Sequence, residues 1–108
     1  MDRSDIAHLI AEQWIPDENG VLRSLKTESM IYVQVTSVSS SEWFEGGRNG
    51  LNPELRFITN RFDYHGEEII RYNGNYYRIY RTYISKSDSI ELYCEKRKGD
   101  AESNTEQL

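Results

Sequence analysis

The fold turns on "EEIIRYNGNYYRIYRTYI", residues 67–84. Two runs rich in β-branched and aromatic residues flank Asn73-Gly74. Asparagine and glycine are the residues that most readily take φ > 0. A pair of them between two such runs specifies a two-residue type I′ hairpin. The turn then sets the register by arithmetic, because the numbers of paired residues must sum to that of the turn. Ile70 should face Tyr77, Arg71 should face Tyr76, and Ile69 should face Arg78. Alternation puts Ile70, Tyr72, Tyr77 and Ile79 on one face, which is assigned to the core. The other face collects Glu67, Arg71, Tyr76, Arg78 and Tyr80 and is expected to be solvated or to meet a partner.

Working outward, the same period of two recurs from residue 31 to residue 95. In "IYVQVTSV" it separates Ile31, Val33 and Val35 from Tyr32, Gln34 and Thr36. In "ELRFITNRF" it groups Leu55, Phe57 and Thr59, with Ile58 and Phe62 blurring the register. "SKSDS", residues 85–89, is a polar turn before the last strand, "IELYCEKR". There Ile90, Leu92 and Cys94 point one way and Glu91, Tyr93 and Glu95 the other, so Cys94 reads as a small core residue. "GDAESNTEQL" has almost no apolar content, and a disordered acidic tail is expected over 99–108. Residues 1–98 then form one domain.

The N-terminal stretch supports two readings. Ile6, Leu9, Ile10 and Trp14 of "SDIAHLIAEQW" stand near helical spacing, with Ser4 as a cap. The same residues also alternate. "PDENG", from Pro16 to Gly20, supplies a turn and "VLRSLKT" a returning strand. Local propensity favours the helix; the all-β remainder favours a long hairpin.

Composition narrows the function. A chain of 108 residues is expected to form one domain with a modest core. With 18 acidic and 13 basic residues, the formal charge is −5. That argues against a sequence-independent grip on phosphates, which needs a basic surface. No apolar run approaches the roughly 18 residues of a membrane span, and "MDRSDIAHLI" lacks the order of a secretion signal. The single cysteine fits a reducing compartment.

No catalytic constellation emerges, and the chain is read as a non-enzyme without metal or cofactor. His8 and His65 lack further ligands at metal spacing. "GGRNG", residues 46–50, lacks the Lys-Ser or Lys-Thr and the long helix of a phosphate-binding loop. Ser39, Ser40 or Ser41 instead caps a turn of helix reaching Glu45, which places Trp43 and Phe44. Gly46 to Pro53 is expected to be a flexible return. If only one of the two aromatics serves the core, Trp43 is the one expected inside and Phe44 the one nearer a partner. Residues 44–52 are expected to be mobile in the free subunit. The interleaved Arg71, Tyr76, Arg78 and Tyr80 form an alternative face for single-stranded nucleic acid, since aromatic faces and guanidinium groups stack bases. Arginine packed over tyrosine explains the same residues without a ligand.

The run from Val35 to Glu95 resembles the head–tail joining family of long-tailed bacteriophages, also called head-closure, head-completion or stopper proteins, and their copies in defective prophages of Gram-positive bacteria. "VTSVSSSEWFEGGRNGLNPELRF", "DYHGEEIIRYNGNYYRIYRTY" and "IELYCEKR" carry the resemblance, in that order. Its positions include Glu42, Trp43, Phe44, Gly46, Gly47, Gly50, Leu51, Pro53 and Glu54. Asp63, Tyr64 and Gly66 follow, and then the hairpin residues Tyr72, Asn73, Gly74 and Tyr77. The resemblance implies an all-β fold: a small antiparallel barrel or sandwich with one short helix in a long inter-strand loop, and an N-terminal hairpin. It implies a virion structural connector. Such a protein forms a ring under the portal and adaptor, closes the DNA-filled head and presents a tail-docking surface. The implied partners are the portal/adaptor ring, a tail-completion protein, other copies of the chain and DNA in the channel. The subunit is expected to be a monomer before assembly, in the host cytoplasm, and then to sit at the head–tail interface of the virion. Trp43, Phe44, Arg48, Asn49 and Leu51 are the expected partner-loop residues.

Overall fold

The structure, a computed structural model, describes residues 5–96. The tail expected over 99–108 lies outside them. Six strands follow in chain order: β1 (Asp5–Pro16), β2 (Leu22–Ser37), β3 (Pro53–Asn60), β4 (Ile69–Tyr72), β5 (Asn75–Lys86) and β6 (Ser89–Lys96). Helix α1 (Ser40–Arg48) lies between β2 and β3, and a 3₁₀ turn (Arg61–Asp63) follows β3. All pairings are antiparallel, and the strands close a barrel in the order β1-β2-β3-β6-β5-β4.

The hairpin that specified the fold has the expected register. Ile69 pairs with Arg78, Ile70 with Tyr77 and Arg71 with Tyr76. Asn73 (φ 51°) and Gly74 (φ 78°) both take the left-handed conformation a type I′ turn needs. Its inner face joins the core, where Ile70 and Tyr77 are buried beside Phe57, Leu92 and Cys94. Phe57 meets Tyr72 and Tyr77 edge-on, with centroids 5.4 and 5.9 Å apart. The assignments of Ile31, Val33, Ile90 and Cys94 to the interior also hold. Burial pushes the Cys94 thiol far above its ordinary range, so it is an inert packing group.

The N-terminus resolves as strand. β1 pairs with β2 over its full length, and Ala7 and Leu9 alternate into the core. The helical spacing of Ile6, Leu9, Ile10 and Trp14 loses because it would bury one stripe and leave β2 and β4 with bare edges. The segments "VLRSLKT" and "IYVQVTSV" are parts of one strand of 16 residues.

That strand has two environments. From Ile31 onward it is barrel wall; from Val21 to Met30 every residue is exposed. β1 mirrors it, with Glu12 to Pro16 exposed. The two strands therefore leave the barrel as a two-stranded arm, and the molecule measures 48 × 31 × 24 Å. The arm's tip is organised by Asp17. Its Oδ1 accepts the backbone N–H groups of Asn19 (2.8 Å) and Val21 (3.0 Å), and its Oδ2 accepts Arg23 Nε (2.9 Å). The Arg23 bond and the backbone donors hold this carboxyl below the usual range. The antiparallel registers put the arm at the barrel end that also bears the β3–β4 and β5–β6 connections. The β2–β3 connection with α1 departs from the opposite end.

Candidate assembly surfaces

Helix α1 is longer than the sequence reading allowed. Ser39 is its N-cap, accepting the Glu42 N–H at 3.1 Å, as the serine cluster led one to expect. The helix then runs through Gly46 and Gly47 to Arg48. Its end is closed by Asn49, whose N–H donates to Gly46 O (3.0 Å) and whose side chain donates to Glu45 O (2.9 Å). Gly50 (φ 79°) follows, and the Leu51 N–H donates to Gly46 O (2.8 Å). The flexible return expected from Gly46 is thus corrected to a helix with both ends capped. The reason lies in Gly46 itself. A Cβ there would stand 2.3 Å from Pro53 Cγ, so glycine serves a close helix–strand approach rather than freedom of movement.

The helix is latched to the barrel by Glu42. Its Oε2 accepts Tyr80 Oη (2.6 Å) and its Oε1 accepts Arg81 Nη2 (2.6 Å). Two consecutive strand residues would ordinarily point to opposite faces. Here the pairing of β5 with β6 shifts between Ile79 and Arg81, so that Ile79 faces Cys94 and Arg81 faces Tyr93. This bulge brings both side chains to one carboxylate. Arg81 also lies over the Tyr93 ring, 3.8 Å from its centroid, and Tyr93 Oη donates to Glu91 (2.7 Å). Burial pushes the Glu42 carboxyl up, but the Tyr80 and Arg81 bonds outweigh it and hold it below the usual glutamate range. Burial, with the Glu42 bond, pushes the Tyr80 hydroxyl far up.

The latch fixes where the aromatics point. Trp43 and Phe44 are 52% and 61% exposed and meet edge-on, with centroids 5.1 Å apart. Neither ring serves the core, so the expectation that Trp43 would be the inner of the two is not met; both rings stand in solvent. Since α1 is anchored through Glu42 and Gly46, its neighbouring positions 43 and 44 turn away from the wall. Arg48 pairs with Glu45 (3.4 Å), Asn49 caps the helix and Leu51 is half-buried. The expected partner loop is thus one contiguous element, but only its aromatics present a large apolar surface.

The arm is a second such surface, which the sequence reading did not single out. Trp14, Ile15, Val21, Leu22 and Leu25 are all between 43% and 62% exposed. The signal was present as apolar residues on both parities of a segment bracketed by "PDENG".

The alternative face is assembled but electrostatically occupied. Arg71 pairs with Glu28, Arg78 with Glu95 (2.6 Å), and Tyr80 with Glu42. Tyr76 is half-buried beside them. Among the described residues every arginine except Arg61 is ion-paired, and Arg61 lies over the Phe62 ring. A guanidinium already holding a carboxylate offers little to a phosphate. The described residues contain no group of three or more side chains that could hold a metal. No protein-family model matches the chain, and no curated protein matches it.

Proposed function

We propose that this chain is a structural connector of a tailed-phage particle. It joins a ring under the portal and adaptor, helps close the filled head and offers a docking surface to the tail. The observation that carries this reading is the latched helix. A closed barrel holds α1 in its β2–β3 connection, where the Val35–Glu95 resemblance expects it, and holds Trp43 and Phe44 out in solvent. A monomer gains nothing from fixing two large rings in water. A subunit that buries their exposed parts against a neighbour gains roughly 1–2 kcal/mol for each. The arm supplies a second apolar surface departing from the opposite end, as a subunit with partners above and below requires.

The test is Trp43→Ala and Phe44→Ala in a phage or prophage carrying this gene. The expected result is a folded barrel, with filled heads that fail to retain DNA or to acquire tails in electron micrographs. Normal tailed particles from both variants overturn the reading. So does steep, salt-sensitive oligonucleotide binding lost in Arg71→Ala, which installs the nucleic-acid function in its place.

A further inference from the structure

We propose that the arm is the joint between copies of this chain. The bare edge of β1 on one subunit pairs with the bare edge of β2 on the next, and the arms together build an antiparallel crown. The starting point is unused backbone. Among the described residues β1 pairs with β4 only at His8, Leu9 and Ile10, so its far side has no strand partner there from Ala11 to Pro16. β2 pairs with β3 only from Gln34 onward. Among the described residues its far side is therefore without a strand partner from Leu22 to Val33, although Thr59 Oγ1 donates to Tyr32 O (2.8 Å). Soluble proteins blunt such edges with bulges, prolines, charged side chains or covering loops, since a bare edge templates strand addition; of these the arm carries charges, Glu12 and Lys26 among them. Here neither half of the arm has a bulge, and its one proline, Pro16, stands at the tip.

There is also room along the β1 edge. Ile10 to Trp14 form one wall of a groove of about 1140 Å³, and His65 to Ile69 form another. Successive strand residues point to opposite faces, so five in sequence bring the β1 backbone edge into the groove, beside the face that Ile10 and Glu12 share with Glu28 and Lys26.

The occupant follows from charge and direction. Glu12 and Lys26 are directly opposite in the arm and share a face, with the acid on the β1 edge and the base on the β2 edge. Glu12 accepts a bond from Ser24, and Lys26 has no ion-pair partner among the described residues. In a closed ring with upright arms, all arms stand at one height and point one way. Each Glu12 then meets the neighbour's Lys26, and Trp14 lies diagonally across the seam from the neighbour's Leu22. β1 and β2 run oppositely within one arm, so they also run oppositely across the seam. Heterologous contacts of this kind close into rings. A two-fold pairing of β1 with β1 would leave the longer bare edge, that of β2, unused. The inference rests on the ring-forming part of the proposed function and on none of its viral context.

Gln13 and Leu25 are paired in the arm and lie outside the core, so cysteines at those positions report the seam. Gln13→Cys and Leu25→Cys are purified separately, then mildly oxidised alone and as an equimolar mixture. Amide spectra check that the barrel is retained, and Ala11→Cys with Thr27→Cys serves as a second pair. Cys94 is buried and does not compete. Head-to-tail pairing makes the mixed disulfide form at least about tenfold faster than either homodimer, because the seam raises the local thiol concentration. Equal rates for all three species mean random collision and overturn the proposal. A fast Gln13→Cys homodimer means two-fold pairing and overturns it as well. The measurement needs no phage component. A head-to-tail cross-link in a chain whose Trp43 and Phe44 variants still give tailed particles leaves the joint standing and removes the connector reading.

Discussion

The arm and helix α1 both carry large apolar side chains into solvent, but they are held in opposite ways. The arm is backbone: two strands that continue past the wall, paired with each other and, beyond Ile10 on β1, with no other described strand on that strand's far side. α1 is held by side chains, through the two bonds to Glu42 and the close seat of Gly46 on Pro53. A two-stranded ribbon is marginal in water on its own. The arm therefore draws its order from the barrel at its root and from its turn, whereas α1 draws its order along its length. The difference suits different tasks. A latched helix presents preset rings to a partner of fixed shape, and a bare ribbon accepts any strand that completes its hydrogen bonding.

The largest effect is expected at the arm's root. Leu9 is fully buried, and Leu9→Ala should cost about 2–5 kcal/mol in chemical denaturation, since the closed wall cannot collapse around the lost atoms. If the loss falls well below that range, the barrel does not anchor the arm, and the comparison fails at its base.

Next come the two glycines of α1, which separate packing from flexibility. A Cβ on Gly46 collides with Pro53, while one on Gly47 meets nothing within 4 Å. Overpacking costs about 1–3 kcal/mol, and replacing a helical glycine by alanine returns about 1 kcal/mol. Gly46→Ala should therefore destabilise the docked helix and Gly47→Ala should stabilise it by about 0.5–1 kcal/mol. Amide exchange of α1 reads both signs. Two stabilising changes would mean that the helix is not seated on Pro53.

This pair also marks the limit of what the sequence could tell. Asn73-Gly74 announced its own geometry, because a type I′ turn is local and its register follows by counting. Alternation then identified inner-face residues in β2, β4, β5 and β6, since burial on one side of a sheet is a period-two property, but not cleanly in β3, where Ile58 is buried between Phe57 and Thr59. Gly46 looked like a hinge because composition does not show what a glycine touches. The Glu42 latch was equally invisible: Ser39-x-x-Glu42 reads as a capping box, in which the glutamate turns back to the cap. The bulge at Tyr80 and Arg81 redirects it instead, and bulges have no signature in a single strand's sequence. The arm was hidden for a related reason. A strand that leaves its sheet has the same local pattern as one that stays.

A smaller effect is expected at the latch. Glu42→Gln keeps the shape but loses the charge that both bonds rely on, and should cost about 1 kcal/mol. The pH dependence has a definite sign. The folded Glu42 carboxyl sits below the ordinary glutamate range, so its contribution is present above that range and fades as pH falls through the lowered folded value. Trp43 fluorescence in a Trp14→Phe background should therefore report helix release at acid pH, and the Glu42→Gln chain should lose that transition. A transition that persists in the variant assigns the acid sensitivity to another carboxylate.

The smallest effect is the one that most sharpens the comparison. Leu25 has the same side chain as Leu9 but is 48% exposed on the arm. Leu25→Ala should change the stability of the isolated subunit by no more than about 0.5 kcal/mol, the usual scale for surface positions. The same substitution should slow cross-linking between Ala11→Cys and Thr27→Cys chains, because the seam loses apolar area that the monomer never buried. A stability loss near that of Leu9→Ala would mean that the arm folds back onto its own barrel, and its apolar residues would then be core. Near-neutrality in the monomer together with a loss in association locates the value of those side chains between subunits.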